Sequence, residues 1–350
     1  MIALEPAFLL CAVGVTTALL WRSRAPARLV LAGLLLGGCA AIGGKLLGGL
    51  FLSLRWLCYA IFVGGPALLL LDARANGRRV SLVLALGLAA VGLDAFVIEP
   101  RWLRVTALTV TSPKLQREHR IALVADLQTD ALGPYERDAL AQALAWEPEL
   151  VLFAGDYLQI EDDAAYEAMI PAFRALLRDA GLAGPGAPRS YAVRGNMEWR
   201  PGWETLFNGT GVIATGDTTT YPAEELSITA LSFSDSFGQR PPPDAPGFQI
   251  VFGHGPDFAL DAPHGDLLLA GHTHGGQVRL PGLGPLLTMS SVPRAWAWGL
   301  TQTRADQALY VSAGVGMERN RAPRLRFLCR PELVLITLSP GPAFSARAGL

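Results

Sequence analysis

Cysteine is scarce in this chain of 350 residues, which contains four. Cys11, Cys39 and Cys58 lie in apolar stretches, and Cys329 stands alone in the second half. There is no CxxC pair, so the spacing excludes a disulfide framework and argues against a thiolate zinc site. We therefore expect four buried thiols without a chemical role.

Charged residues are also few. They make up 17% of the chain, against about 25% in soluble domains, and 51% of all residues are hydrophobic. Part of the chain is therefore expected outside water. Residues 1–100 hold eight of the 29 Lys/Arg and four of the 30 Asp/Glu, so 21 basic and 26 acidic residues remain for the second part. This acidic balance argues against a nucleic-acid partner.

The first hundred residues contain four long apolar stretches and are predicted to form a transmembrane region. A spanning helix needs about 20 apolar residues. Lys45 and Arg55 interrupt the middle pair and are expected at the ends of two short spans, where long side chains reach the interface. The alternatives are a cleaved signal peptide for the first stretch, which the acidic Glu5 disfavours, and a buried soluble bundle, which the uniformly apolar stretches disfavour. The predicted spans are 4–21, 29–50, 52–71 and 80–98.

Arginines in two loops predict the orientation of these spans. One loop lies between spans one and two and the other between spans three and four, so both lie on the same side of the membrane. The positive-inside rule makes that side cytoplasmic. The fourth span then leads outward, and the second half of the chain is predicted to face the periplasm or the exterior. The arginines are Arg22, Arg24, Arg28, Arg74, Arg78 and Arg79.

After Pro100 the composition becomes that of an ordinary globular domain. Short apolar runs predict buried strands, and helical patterns at 135–145 and 164–180 fall between the early ones. This alternation predicts an α/β layered fold, and the later runs, which lack long helices, predict a sandwich of two sheets. Residues 339–350 are expected as a C-terminal tail. The predicted strands are 121–125, 150–154, 191–193, 226–231, 248–252, 267–270, 309–312 and 333–338.

Residue types that bind metals follow five of the predicted strands. Ligands bind at strand ends in α/β folds, and neighbouring glycines let the backbone approach an ion or phosphate. Each element alone has an ordinary explanation, because an acid after a strand often caps a helix and a lone histidine is usually a surface or core residue. Five in one order predict a site for Mn, Fe or Zn. They are Asp126-Leu127-Gln128, Gly155-Asp156, Gly195-Asn196-Met197-Glu198, Gly253-His254 and Gly271-His272-Thr273-His274.

The order of these motifs resembles the calcineurin-like metallophosphoesterase family, in which Asp-x-His, Gly-Asp, Gly-Asn-His-Asp/Glu, His and Gly-His-x-His follow one another. The similarity is greatest to the membrane-anchored bacterial branch, through Gly-His-Thr-His-Gly-Gly-Gln at 271–277, the strand at 309–316 and Pro331-Glu332. It covers about residues 105–338. The resemblance implies a two-sheet β-sandwich flanked by helices in a membrane-anchored bacterial protein. Together with the four predicted spans, it leads us to expect a multi-pass protein of the bacterial inner (plasma) membrane.

The resemblance also implies the site and its chemistry. Up to two divalent metal ions would polarise a phosphoryl group and lower the pKa of a bound water, so that hydroxide attacks phosphorus in line. Asp156 would bridge the ions and, with Asn196 and His272, form the catalytic set. Asn196, His254 and His272 would complete the second ion's shell, and Asp126 and His274 would belong to the first. The implied metal ligands are Asp126, Gln128, Asp156, Asn196, His254, His272 and His274.

Two positions depart from the family pattern. Gln128 replaces the histidine of the first motif, and an amide oxygen is a weaker ligand for Zn or Fe than imidazole. Met197 replaces the histidine that acts on the substrate in the family. The first metal shell is therefore impaired and the second complete, although some phosphodiesterase branches lack the second histidine and remain active.

The predicted function is a membrane-anchored metal-dependent phosphohydrolase that cleaves phosphodiester or pyrophosphate bonds. Its substrate would be a phosphorylated small molecule or a lipid-linked or envelope compound, on grounds of location. The alternative is a catalytically degenerate protein that binds metal or a phosphorylated ligand without turnover, which Gln128 and Met197 favour. No protein partner is predicted. His119 and His264 lie in polar segments and are expected to be solvated.

Overall fold

The structure, a computed structural model, describes residues 26–261 and 263–349. The chain divides into two compact units. The first, called here the helical unit, comprises Met1–Ile98 and Glu318–Leu325. The second, called here the sheet domain, comprises Glu99–Met317 and Arg326–Leu350. Each unit has its own core and is described separately.

The helical unit consists of apolar helices with one sharp reversal. Helix α1 is broken at Gly49, whose φ of 81° and ψ of −161° are not helical. The Leu36 side chain lies against Gly64, whereas a straight helix at 1.5 Å per residue would separate the two by about 42 Å. The chain therefore folds back on itself at Gly49. The helices are α1 (Pro26–Tyr59), α2 (Gly65–Asn76) and α3 (Arg79–Leu93), with π-helical turns at Ala60–Gly64 and Asp94–Ile98.

Two helical stretches among the described residues are long and apolar enough to cross a membrane, Leu31–Asn76 and Arg79–Arg101. Sequence analysis predicted four spans. The predicted third span, and the predicted second span apart from its first two residues, fall within the first of these stretches, which contains the break at Gly49. The predicted fourth span lies within the second stretch. The predicted first span, 4–21, lies outside the described residues.

The sheet domain is built on two large sheets and a small two-stranded ribbon. Its strands are β1 (Arg104–Ser112), β2 (His119–Val124), β3 (Leu150–Phe153), β4 (Arg189–Val193), β5 (Val212–Thr215), β6 (Thr219–Ala223), β7 (Leu226–Ala230), β8 (Phe248–Phe252), β9 (Leu267–Ala270), β10 (Arg279–Leu280), β11 (Gly284–Pro285), β12 (Gly299–Arg304), β13 (Gln307–Val311), β14 (Glu332–Pro340) and β15 (Ser345–Gly349). The first sheet has the order β15-β1-β14-β2-β3-β4-β5 and the second β12-β13-β9-β8-β7-β6.

Parallel pairing places the ends of the central strands together. Strands β2, β3, β4 and β5 run parallel in the first sheet. Strands β7, β8, β9 and β13 do so in the second. The carboxyl ends of neighbouring parallel strands lie at one edge of a sheet, where α/β folds bind ligands. The predicted metal-binding motifs all follow such ends.

The main core lies between the two sheets. Ile121 and Leu123 of β2 point into it and meet apolar side chains of the second sheet such as Ile250. Ala122 and Val124 point to the opposite face, because successive side chains of a strand alternate. Both faces of the first sheet are covered, so its central strands are apolar throughout instead of alternating with polar residues.

Two helices cover the outer face of the first sheet. They are α4 (Pro134–Ala145) and α5 (Asp163–Asp179), which pack through Leu140 and Phe173 among others. Asp162 caps α5, since its side chain accepts the backbone N–H of Ala165 at 2.8 Å. A further single helical turn, α6 (Phe233–Ser236), follows β7. The result is a two-sheet sandwich flanked by helices, as the sequence predicted.

The strands and helices of the sheet domain largely follow the predicted ones. All eight predicted strands and both helices of the sheet domain are present, with ends that differ by at most two residues. The predicted tail, 339–350, is wrong, because β15 pairs with β1 at the edge of the first sheet. The predicted solvation of His119 is also wrong. The residue is 2% exposed, and its ring nitrogens lie 2.7 Å from Glu225 and 3.4 Å from Glu149, which satisfy it in a buried position.

Candidate metal centre

The predicted ligands gather where the strand ends of the two sheets meet. The backbone N–H of His272 donates to both carboxylate oxygens of Asp126 at 3.0 Å. The ring of His254 reaches across to the Ala154 carbonyl at 2.9 Å. These bonds tie β8 and β9 of the second sheet to β2 and β3 of the first. The residues concerned are Asp126 after β2, Asp156 after β3, Asn196 after β4, His254 after β8, and His272 and His274 after β9.

Asp126, Asp156 and His274 form one cluster of donors. One ligand atom from each lies within 4.8 Å of the others, and all three side chains are buried. Two carboxylates and an imidazole at this separation are suited to a divalent cation. Without a cation, two buried carboxylates this close would repel each other. This cluster matches the predicted first site.

A second cluster of donors lies beside the first and shares Asp156 with it. His254 Nε2 is 2.8 Å from Asn196 Oδ1 and 3.1 Å from His272 Nδ1. His272 Nδ1 is 3.1 Å from the same amide oxygen. The Asp156 Oδ2 atom is 3.6 Å from His254 Nε2. Four donor atoms thus converge from four strand ends.

Hydrogen bonds on the far side of each ring fix which nitrogen faces the cluster. His254 Nδ1 meets the Ala154 carbonyl, and His272 Nε2 meets the Met289 carbonyl at 3.0 Å, so each of these nitrogens carries the proton. Burial lowers the pKa of His254 to about 4. Burial, and then the neighbouring His254, lower the pKa of His272 to about 4. Both rings are therefore neutral at physiological pH, and both inward nitrogens present lone pairs.

This arrangement fits a metal ion. Lone pairs on two nitrogens and an amide oxygen face one another at 2.8 to 3.1 Å, and such contacts are repulsive unless a cation lies among them. A metal-binding histidine usually donates its other ring N–H to a carbonyl or carboxylate, which fixes the orientation of the ring. Imidazole, amide and carboxylate without thiolate suit Mn, Fe or Zn.

Backbone strain is concentrated at the same residues. Asp126, Asp156, His272 and His274 have φ values of 49°, 55°, 69° and 49°, and Gln128 has 33°. The left-handed region is unfavourable for residues with a Cβ atom, and such strain collects at functional sites. The surrounding sheets hold these side chains in orientations that an unstrained chain would not adopt.

Two glycines make room for the carboxylates. A Cβ atom on Gly271 would lie 2.5 Å from Asp126 Oδ2, and one on Gly195 would collide with the Asp156 side chain. The glycines in Gly-Asn and Gly-His-Thr-His are therefore required by close packing of the motifs against each other.

Glu198 has a role that the sequence analysis did not assign. The side chain is 1% exposed and accepts three backbone N–H groups, from Asp156 at 2.9 Å, Tyr157 at 2.8 Å and Gly195 at 2.9 Å. Burial, and then the charge of Asp156, raise the pKa of Glu198 to about 8. The carboxyl group fixes the strained turn that carries Asp156. Its place two residues after Asn196 was the available signal.

Arg326 supports the opposite side of the site. Its fully buried guanidinium donates to the carbonyls of Ala313 at 2.7 Å and Gly314 at 3.2 Å, and also to that of Gly316. The backbone N–H of Gly316 in turn donates to the Asp126 carbonyl at 2.7 Å. No motif in the sequence pointed to this arginine.

The two departures from the family pattern both lie at the site. Gln128 is fully buried, and its amide nitrogen donates to Gln159 Oε1 at 3.1 Å. Met197 is half-buried, and its backbone N–H donates to Asp156 Oδ1 at 2.8 Å. The Met197 backbone thus supports the shared carboxylate, while its side chain offers no proton.

Comparison with known proteins agrees with this geometry. The model of the calcineurin-like phosphoesterase family matches residues 119–276. The chain is 32% identical over 211 residues to the uncharacterized metallophosphoesterase YkuE of Bacillus subtilis (strain 168), a match that covers 55% of this chain and 68% of that protein. The chain therefore belongs to the calcineurin-like phosphoesterase family. It is a metal-dependent phosphoesterase, a hydrolase.

Two further similarities are more distant. The chain is 28% identical over 242 residues to the phosphodiesterase YaeI of Escherichia coli (strain K12), over 63% of this chain and 82% of that protein. GAP50, described as the anchor in the inner membrane complex of Plasmodium, aligns with 67% of this chain and 84% of its own at 12% identity and a TM-score of 0.38. Structural likeness at that level has no bearing on function.

Proposed function

We propose that the protein is a membrane-anchored phosphodiesterase that cleaves phosphodiester or pyrophosphate bonds with two divalent metal ions. One observation carries the proposal. His254 Nε2, His272 Nδ1 and Asn196 Oδ1 converge within 3.1 Å, with both ring protons held on the outward nitrogens. Lone pairs that all face inward attract a cation.

The assignment of ligands follows from the two clusters. Asp156 is the carboxylate that both clusters share, which supports its role as the bridge. Asn196, His254 and His272 would complete one site. Asp126 and His274, with the amide oxygen of Gln128, would complete the other. Asp156, Asn196 and His272 would form the catalytic set.

Divalent ions in these positions supply Lewis-acid polarisation of the phosphoryl group and a nucleophile at neutral pH. The protein's own contribution is to hold the donors rigidly and to keep the histidines neutral. Manganese, iron and zinc all suit the donor set.

Met197 supports a preference for certain bonds. The leaving oxygen gains negative charge in the transition state, and a general acid that protonates it is worth about 10²–10⁴-fold. The Met197 thioether has no proton to give. Substrates with good leaving groups, such as pyrophosphates and activated diesters, suffer least, so we expect them to be preferred over alkyl monoesters. The relative YaeI is named a phosphodiesterase, in agreement with this expectation.

Membrane anchoring is supported by the exposure of the apolar helices. In the most apolar part of the two candidate spans, only 17% and 22% of the residues are buried. The core helix of a soluble protein, by contrast, is mostly buried. We propose that the reversal at Gly49 separates two spans, so that with 4–21 and 80–98 the chain crosses a bacterial inner membrane four times. The arginine-rich loops then face the cytoplasm and the sheet domain the periplasm or exterior.

A second candidate function is a catalytically degenerate member that binds metal or a phosphorylated ligand without turnover. Gln128 favours it, because its amide nitrogen is bonded to Gln159 in the place where the family has an imidazole ligand. This candidate predicts bound metal without hydrolysis.

The test uses the purified full chain. Hydrolysis of bis(p-nitrophenyl) phosphate and p-nitrophenyl phosphate is measured with added Mn, and bound metal is counted by mass spectrometry. We expect the diester to be cleaved faster and Asp156→Asn to lose both activity and metal. The matched control is Asp266→Asn, a buried carboxylate at the amino end of β9 that contacts Lys114 and Gln249.

Three outcomes separate the candidates. Metal without hydrolysis would establish the degenerate candidate. Unchanged metal content in Asp156→Asn would refute the ligand assignment. Equal loss in Asp156→Asn and Asp266→Asn would mean that folding, not ligation, had been measured.

A further inference from the structure

An exposed apolar segment lies beside the metal centre. Nine large apolar residues of the sheet domain are exposed among those the structure describes, and four of them fall within residues 283–289. They are Leu283, Leu286, Leu287 and Met289, which are 64%, 42%, 41% and 57% exposed. Isolated exposed apolar residues are ordinary, but a concentration of them marks a binding surface.

This segment forms one wall of a cleft of about 510 Å³. Leu286, Leu287 and Met289 line it, and Phe237 also contributes to the lining. The cleft is shallow and broadly open to solvent. Leu283 is absent from the lining.

The cleft adjoins the metal centre, because two of its lining residues contact His272. The Met289 carbonyl accepts the His272 Nε2 proton at 3.0 Å. The Phe237 ring packs edge-on against the His272 ring, with centroids 5.0 Å apart. A group attached to a phosphoryl at the metal centre therefore has the cleft as its neighbour.

The polar part of the cleft carries both signs of charge. Asp257 lines it, but its carboxylate is occupied by the Ser290 hydroxyl at 2.7 Å and the Ser291 N–H at 2.6 Å. Arg294 also lines it and is exposed. Since both signs of charge are present, the apolar wall is the feature that distinguishes ligands, and it complements a hydrocarbon part.

We propose that this cleft binds the hydrocarbon chain of an amphiphilic phosphoester, a diester or pyrophosphate that carries an alkyl or acyl group. Leu286, Leu287 and Phe237 contact the chain while the phosphoryl group lies at the metal centre. The inference rests on the proposed function for the placement of the phosphoryl group. It makes Leu286 and Leu287 determinants of substrate choice.

The test varies only the length of the alkyl group on the substrate. Methyl, butyl and hexyl p-nitrophenyl phosphodiesters share one leaving group. Their hydrolysis by the full-length protein is measured in lipid nanodiscs with Mn. A fully buried methylene is worth roughly fourfold, from about 0.8 kcal/mol. In an open cleft we expect each methylene to gain about half of that burial energy, which raises kcat/KM about twofold. Over the five methylenes from methyl to hexyl, kcat/KM should therefore rise about 30-fold.

The variant Leu286→Ser/Leu287→Ser should reduce the hexyl-to-methyl ratio to below about fivefold, since most of the apolar wall is lost. The control is Leu283→Ser, which lies in the same segment, is more exposed and does not line the cleft. It should keep the wild-type ratio. Because every protein is measured in the same nanodisc, partition of the longer esters into the bilayer cancels from the comparison.

Several results would overturn the inference. A wild-type ratio near one, with the methyl ester still hydrolysed, rejects the cleft but leaves the proposed function intact. An unchanged ratio in the double variant does the same. An equal fall in the double variant and in Leu283→Ser would show that the segment contacts the bilayer instead of the substrate chain.

A binding measurement covers the case in which no diester is hydrolysed and the proposed function itself fails. Calorimetric titration of the Mn-loaded protein with methyl and hexyl phosphate gives the same comparison without turnover. Tighter binding of hexyl phosphate by the wild type than by the double variant would support the cleft. Equal affinity of the wild type for the two phosphates would reject it.

Discussion

The carboxylate of Asp126 accepts the backbone N–H of His272 with both of its oxygens, each at 3.0 Å. The first and the last motif of the site are thus joined directly, although 146 residues separate them. The bond couples the two clusters of donors, because Asp126 belongs to one and His272 to the other. A change in the first cluster should therefore alter metal binding at the second.

Restoring an imidazole at position 128 should strengthen the first site. Gln128→His replaces an amide with a better ligand for Zn or Fe, so we expect bound metal to rise toward two ions per chain. Metal counting by mass spectrometry after dialysis measures it. Gln128→Asn, which keeps an amide, is the control and should not gain metal. If both variants hold as much metal as the wild type, position 128 is not a ligand.

Met197→His should make the reaction less sensitive to the leaving group. Without an acid, the wild-type kcat/KM should fall steeply across aryl phosphodiesters as the pKa of the leaving phenol rises. A histidine that donates a proton should flatten this slope by relieving charge on the leaving oxygen. Met197→Leu, which also lacks a proton, should keep the steep slope. A shallow wild-type slope, with chemistry shown to be rate-limiting, would mean that another residue is the acid.

Glu198→Gln should weaken metal binding without touching a ligand. The amide keeps one acceptor oxygen but turns an N–H₂ group toward backbone N–H donors, which leaves one or two of them unpaired at a cost of about 1–3 kcal/mol each. We expect a lower melting temperature and a metal dissociation constant at least tenfold higher, measured by competition with a chelator. Glu167→Gln, on the exposed side of α5, should change neither. A lower melting temperature with unchanged metal affinity would make Glu198 purely structural.

The membrane topology predicts the behaviour of reporter fusions. A reporter active only outside the cytoplasm should be active when fused after Leu350. The same reporter should be silent after Gly77, in the short loop between α2 and α3, which is flanked by Arg74 in the last turn of α2 and contains Arg78. Activity at Gly77 and silence at Leu350 would invert the orientation, and activity at both would refute the proposed number of spans between them.

The sequence pattern predicted the strands that are completely buried. Strands such as β8 and β9 are buried on both faces, so their apolar runs stand out. Edge strands were missed, because β15 (Ser345–Gly349) and β12 (Gly299–Arg304) carry polar and small residues that give little pattern. The buried His119 was misjudged, since its two glutamate partners come from distant segments.

The predicted site residues come together because each follows a strand end, which sequence spacing can show. Their supports could not be predicted in the same way. Glu198 and Arg326 act by hydrogen bonding to backbone groups, and a backbone acceptor or donor leaves no mark in the sequence. The left-handed backbone at Asp126 and Asp156 likewise has no signal, because neither position is a glycine.

Glu99 and β15 define where the sheet domain can be cut for expression on its own. Glu99 is 4% exposed and accepts the backbone N–H groups of Leu328, at 2.8 Å, and Cys329. A fragment that begins at Arg104 would leave these donors unpaired. A fragment that stops at Leu338 would remove β15 and bare the full length of β1 as an unpaired edge, which invites aggregation. A fragment that begins at Glu99 and keeps the chain through β15 retains both.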